Sequence, residues 1–153
     1  MINLELKIPP VALVLICAVL MWLVSVFLPQ HGLPDTIARV VALVFVAAST
    51  MIGVLGVGAF IKAKTTVDPL LRHKTSSLVT SGVYGFSRNP MYLGMLGLLV
   101  GFGLFLGSLY SLSLCVGFVL YLNRFQIEPE ERMLAAQFPA EFARYQAEVR
   151  RWI

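Results

Sequence analysis

Polar and apolar positions alternate in long blocks along this chain, on a scale set by a membrane rather than by a soluble core. Ile8 to Leu28 carries no charge, and Pro9 and Pro10 stand at its start, where a missing N–H costs a helix least. Val40 to Ile61 is a second apolar block, bracketed by Arg39 and Lys62. Pro90 to Leu122 is a third, too long for one span. Gly107-Ser108 near its middle predicts a turn, and so a helical hairpin over 90–106 and 109–122, the alternative being one long span with a re-entrant piece. About 20 apolar residues at ~1.5 Å each cross ~30 Å of hydrocarbon. From Asn123 the chain is polar again. Glu128-Pro129-Glu130-Glu131 has the composition of a helix start, with an early proline and acids in the first turn. Pro139 interrupts the C-terminal stretch, and Leu134, Phe138, Phe142, Tyr145 and Val149 recur at helical spacing.

The pattern predicts an all-α, polytopic membrane protein. One domain over 1–153 holds about four transmembrane helices (8–28, 40–61, 90–106, 109–122) and short cytoplasmic helices over about 128–151. Composition agrees: 58% of residues are hydrophobic and 13% charged, with mean hydropathy +0.83, where soluble domains run near 25% charged. The loop over 62–89 holds Lys62, Lys64, Arg72, Lys74 and Arg88 against Asp68, whereas 29–39 holds only Arg39 and Asp35. The positive-inside rule puts the 62–89 loop, and with it both termini, in the cytoplasm, most simply at a bacterial inner membrane. The N-terminal block reads as a retained anchor, because no small-residue cleavage site comes after it. The net charge of +4 fits topology and anionic headgroups, and no basic patch with interleaved aromatics points to nucleic acid. Cys17 and Cys115 lie within apolar runs and read as small hydrophobes. His31 and His73 stand alone, without a second ligand at metal spacing, so no metal is expected.

Chemistry is concentrated in Ser81–Gly94 and in the acids beyond the hairpin. Gly82 and Gly85 permit turns. Arg88 can grip a carboxylate with two parallel bonds, or serve only as a snorkelling anchor. Gly94, Gly97 and Gly101 share a helix face; they permit close helix packing, and Gly101-Phe102-Gly103 equally permits approach of a flat ring. Glu130 and Glu131 suit a helix N-terminus and need no further role there, but the hairpin returns them to the face that carries Arg88. There they can accept bonds from an ammonium group or ribose hydroxyls.

Taken together, Gly82-x-Tyr84-x-x-x-Arg88-Asn89-Pro90-Met91-Tyr92-x-Gly94, Gly101-x-Gly103, Glu130-Glu131-x-x-Leu134 and Phe138-x-x-x-Phe142-x-x-Tyr145 resemble the isoprenylcysteine carboxyl methyltransferase and phospholipid methyltransferase superfamily. Thr65-x-Val67-x-Pro69 is similar to the segment those proteins carry before the arginine loop. The resemblance covers roughly 65–151. It implies an integral membrane methyltransferase that uses S-adenosylmethionine to methylate a carboxylate, amine or thiol of a lipophilic molecule at the cytoplasmic face. By the family pattern Tyr84, Arg88, Asn89, Pro90, Tyr92, Leu93, Gly101, Gly103, Glu130 and Glu131 bind the cofactor. Glu130 is the candidate base, and Arg150, or its neighbour Arg151, steadies an anionic acceptor. The partners implied are membrane lipids and a lipophilic substrate. Asn89 stands where many carboxyl methyltransferases have histidine, which removes an acid–base group titrating near neutrality. Pro139 and Phe142 also depart from the family pattern, and these changes bear on the acceptor more than on the cofactor. Two other classes compete: a nicotinamide-dependent reductase related to membrane sterol reductases, and a non-enzymatic membrane scaffold.

Overall fold

A computed structural model describes residues 5–28, 35–63 and 77–153. The linker 29–34, His31, His73, residues 64–76 of the basic 62–89 loop and with them the Thr65-x-Val67-x-Pro69 segment lie outside the described residues. Among the described residues the structure is helical, with no strand.

Helix α1 (Pro10–Phe27) opens on Pro10 at its first position and ends where Leu28 turns extended. Helix α2 (Asp35–Lys62) runs 28 residues, five longer at its start than the apolar block suggests. A 3-10 turn (Gly82–Gly85) precedes α3 (Pro90–Phe105). Gly107, at φ 63°, makes the turn to α4 (Leu109–Leu122), where the Ser108 hydroxyl accepts the Ser111 N–H at 3.2 Å. This side-chain cap takes one of the first-turn amides left without a helical partner.

Helix α4 does not stop where the polar sequence begins. It continues through a π-helical segment (Asn123–Ile127) into α5 (Glu128–Gln137) with helical backbone throughout. The acids at 128–131 therefore lie inside a continuous helix, which corrects the reading of that stretch as a fresh start. Helix α6 (Pro139–Glu148) comes directly after Phe138.

The helices join along two seams. On one, α3 meets α2 with almost nothing between the backbones: a Cβ on Gly94 would lie 2.9 Å from the Ser49 carbonyl, and one on Gly101 would lie 3.1 Å from the Ala42 carbonyl. On the other, α1, α3 and α4 share a core of Leu13, Cys17, Met21, Tyr92, Leu99, Cys115, Phe118 and Leu122. The buried Ser111 hydroxyl adds a 2.7 Å bond to the Met21 carbonyl, the sort of polar tie that helices in lipid use.

Helices α1 and Thr36–Lys62 are long and apolar enough to cross a membrane, and α3 is a shorter apolar helix. Only Leu13, Cys17, Met21 and Ser25 of α1 are buried. Leu15, Val26 and Phe27 stand 63%, 59% and 80% exposed, and Leu43, Val44 and Val54 of α2 are 61–70% exposed. So much bare apolar surface far exceeds what a soluble monomer carries, and a buried core helix cannot account for it. Lipid covers such surface without cost.

Candidate active site

The chain crosses back and forth so that α2 ends, α3 begins and α4 runs into α5 at one end of the bundle. There the loop ahead of α3 meets the acids of α5. Arg88 Nη2 donates to Glu131 Oε1 at 2.8 Å. Arg151 grips the same carboxylate from the other side, Nη2 to Oε2 at 2.6 Å and Nε to Oε1 at 3.2 Å. Burial alone would raise the Glu131 pKa, but hydrogen bonds and charge from Arg151 and Arg88 outweigh it and hold the carboxyl below its ordinary value. The same bonds push the Arg151 guanidinium up.

Glu130, one residue back, has the opposite surroundings. Its Oε1 accepts the Tyr92 hydroxyl at 2.6 Å. Burial, with the charge of Glu131 adding to it, overcomes the Tyr92 bond and raises the pKa from 4.5 to about 7. Adjacent carboxyls thus differ in kind: one is a fixed anion held by two guanidiniums, the other changes charge near neutrality. Pairs whose surroundings drive them apart in this way mark acid–base sites.

A third element completes the cluster. Beyond α6 the chain turns extended at Val149 and lies against the start of α3 as a strap. Arg88 Nη1 donates to the Val149 carbonyl at 2.6 Å, Arg88 N–H to the Arg150 carbonyl at 3.0 Å, and Asn89 Nδ2 to the Arg151 carbonyl at 3.0 Å. Trp152 packs on the helical core and donates Nε1 to Asn123 Oδ1 at 3.0 Å.

The candidate residues fall into three groups. Arg88, Asn89, Tyr92, Glu130 and Glu131 come together, although Arg88 and Glu131 touch directly rather than face each other across an open space. Pro90 is the buried first residue of α3, and Leu93 sits half-buried one turn on. Tyr84 belongs to an adjoining cluster with Val79, Phe142 and Tyr145. Its carbonyl accepts the Tyr145 hydroxyl at 2.7 Å and its ring meets Phe60 edge-on at 5.4 Å. Burial raises both phenols, Tyr145 to about 12 and Tyr84 further, with Tyr145 and Glu130 adding to Tyr84.

Gly101, Gly103 and the Arg150 side chain stand apart from this cluster. Gly101 faces Ala42, Phe45 and Val46 of α2, and Gly103 faces Met21 and Leu112. Both stand three to four turns along α3 from Pro90, and their missing side chains serve helix contact, leaving no bare face for a ring. Arg150 is exposed, and it is its carbonyl that joins the cluster; the guanidinium that reaches the acids is that of Arg151. Sequence reasoning missed Trp152, Asn123 and the carbonyls of the strap, for which no local motif gives a signal. Among the described residues no group of His, Cys, Asp and Glu could hold a metal, and Cys17 and Cys115 are buried free thiols.

Comparison with known proteins fits this geometry. A family model described as phospholipid methyltransferase matches residues 37–141, from α2 into α6. The chain belongs to the phospholipid methyltransferase family, a branch of the superfamily that its motifs resemble. An uncharacterized protein of Haemophilus influenzae is 40% identical over 63 residues, which are 41% of this chain and the whole of that relative. No solved structure matches the chain.

Proposed function

We propose that the protein transfers a methyl group from S-adenosylmethionine to a lipophilic acceptor at the cytoplasmic face of the membrane. In this reading α1 to α4 all cross the bilayer, and both termini and the site lie on the cytoplasmic side. The observation that carries it is the meeting of Tyr92 with Glu130 and of Arg88 with Glu131 and Arg151, residues far apart in sequence but joined in one cluster within a methyltransferase family.

The donor set suits the cofactor. Its amino-acid end is a zwitterion that needs a cation and an anion, and its ribose diol needs an acceptor. Arg88, Arg151, Asn89 and the two carboxylates supply these, and Arg88 Nε is buried with no partner among the described residues, a donor left for a ligand. Tyr84, Pro90, Tyr92 and Leu93 would wall the site.

S-Adenosylmethionine, when bound, supplies an electrophilic methyl group on a sulfonium centre. Arg88 and Arg151 hold Glu131 as a permanent anion that favours a cationic group beside it. Glu130 is poised to take a proton from an amine acceptor near neutral pH, which bares the lone pair that attacks. Tyr92 fixes the carboxyl that receives the proton. Arg151 of the strap lies against Glu131, and the partial burial of both acids strengthens the charge interactions around them.

Calorimetric titration of the detergent-solubilised protein with S-adenosylmethionine tests the cofactor assignment. Arg88→Ala and Glu131→Ala should each weaken binding at least tenfold while the protein stays folded; wild-type affinity in both would remove the site. Incubation of membrane lipids with radiolabelled methyl donor, and identification of the labelled lipid, names the acceptor.

A further inference from the structure

Pro129 sits inside a continuous helix, yet it has no N–H to give the carbonyl four residues back. That carbonyl belongs to Phe125. Around it the helical ladder widens, so that the Glu128 N–H donates to the Asn123 carbonyl. The stranded Phe125 carbonyl instead accepts the Leu6 N–H at 2.9 Å. Next to it Gln126, 1% exposed, donates Nε2 to the Ile8 carbonyl at 2.6 Å. Further along α5, Arg132 pairs with Glu5 at 2.7 Å. Leu6 itself has φ 56°, a left-handed conformation that costs a residue with a side chain ~1–2 kcal/mol. It is held there by contacts on both sides. Helices carry π turns rarely, and disproportionately where function needs a side chain re-aimed.

We propose that Glu5–Ile8 form a latch that stabilises the π turn and so sets the rotation of α5, with Gln126 as the positioning residue that brings Glu130 to Tyr92. A π turn holds one residue more than an α turn, so its loss rotates the downstream helix by about 100°. At a side-chain radius of about 5.5 Å, that displaces a carboxyl by roughly 8 Å. The bond at stake is 2.6 Å long, so the two registers are mutually exclusive. The catalytic consequence rests on the role proposed above for Glu130; the register does not.

The test reads Glu130 directly. Carbon-13 carboxyl resonances of glutamate-labelled protein in detergent are followed against pH, with Glu130→Gln identifying the signal. The groups that face Glu130 are Tyr92 from α3, Tyr84 from the 3-10 turn and Glu131 on its own helix, the last held by Arg88 and Arg151. Two variants break the latch differently. Gln126→Leu removes the donor and keeps the bulk. Pro129→Ala supplies an N–H that competes with Leu6 for the Phe125 carbonyl while favouring helix. In each, the Glu130 midpoint should fall by at least one pH unit toward that of an ordinary glutamate, with methyl transfer reduced at least tenfold. If Gln126→Leu does not fold, Pro129→Ala decides alone. An unmoved midpoint in the folded variants overturns the latch. A midpoint that shifts in protein with no methyl transfer, even as wild type, upholds the latch and sinks the enzyme reading instead.

Discussion

Replacing Glu130 with glutamine should make the protein more stable and less active at once. Glutamine keeps the oxygen that accepts from Tyr92 and removes the charge. In the folded protein burial lifts the Glu130 pKa from 4.5 to about 7, so the folded state holds this proton more tightly than the unfolded chain. Between those two values folding takes up a proton, and the stability tied to it is complete at low pH and lost as pH rises toward 7. At 1.36 kcal/mol per pH unit the full difference is about 3 kcal/mol. Residual solvent contact of the half-buried side chain reduces this to about 2 kcal/mol. Glu130→Gln should therefore gain about 2 kcal/mol over wild type at pH 8, and less than half of that at pH 5, just above the pKa of the unfolded chain. Denaturation in detergent, tracked by the fluorescence of Trp22 and Trp152, measures this at both pH values. Methyl transfer to an amine acceptor should meanwhile fall at least a hundredfold, in line with loss of a general base. A variant no more stable than wild type at pH 8, with the same pH slope, would refute the buried, titrating carboxyl from which this is reasoned.

Other outcomes rest on particular contacts. Tyr92→Phe removes the one bond that favours the charged form of Glu130, so the rising limb of the transfer pH profile should move to higher pH. Arg151→Ala leaves Glu131 with a single guanidinium and should weaken S-adenosylmethionine binding about tenfold, or about 1.4 kcal/mol, whereas Arg150→Ala should change it less than twofold by calorimetry. Arg88→Lys should not rescue Arg88→Ala, because a lysine cannot reach Glu131 and the Val149 carbonyl together. Gly94→Val would drive carbon into the Ser49 carbonyl, which as backbone cannot step aside, and thermal unfolding should show a loss of about 1–3 kcal/mol.

The helical architecture is written plainly in the sequence, and the site only partly. Apolar blocks bounded by proline and glycine locate α3 and α4 to within a residue, because Pro90 suits the first position of a helix and Gly107 takes the positive φ of the turn between the two. The π segment escapes such reading. Pro129 beside three acids has the composition of a helix start, and only the distant Leu6 N–H reveals that the helix continues. The same limit explains Arg150 and Arg151: adjacent and chemically identical in sequence, they differ in the fold, where Arg151 pairs with Glu131 and Arg150 is exposed. Gly101 and Gly103 show the converse. A pair of bare positions fits a ligand or a neighbouring helix equally well in sequence, and the packing partners decide.

The unequal lengths of the joined helices have one more consequence. Gly56 of α2 lies beside Met91 at the head of α3, yet α2 goes on to Lys62, about 9 Å further at 1.5 Å per residue. Those last turns remain greasy, with Val57 and Ile61 bare, and Lys62 is the first charge they reach. The headgroup plane should therefore lie near Lys62, with the Arg88–Glu131 cluster recessed beneath it. On the function proposed above, an amphiphile presents its polar end to these acids while its tails stay dissolved in the leaflet, and a water-borne substrate has to descend to meet them.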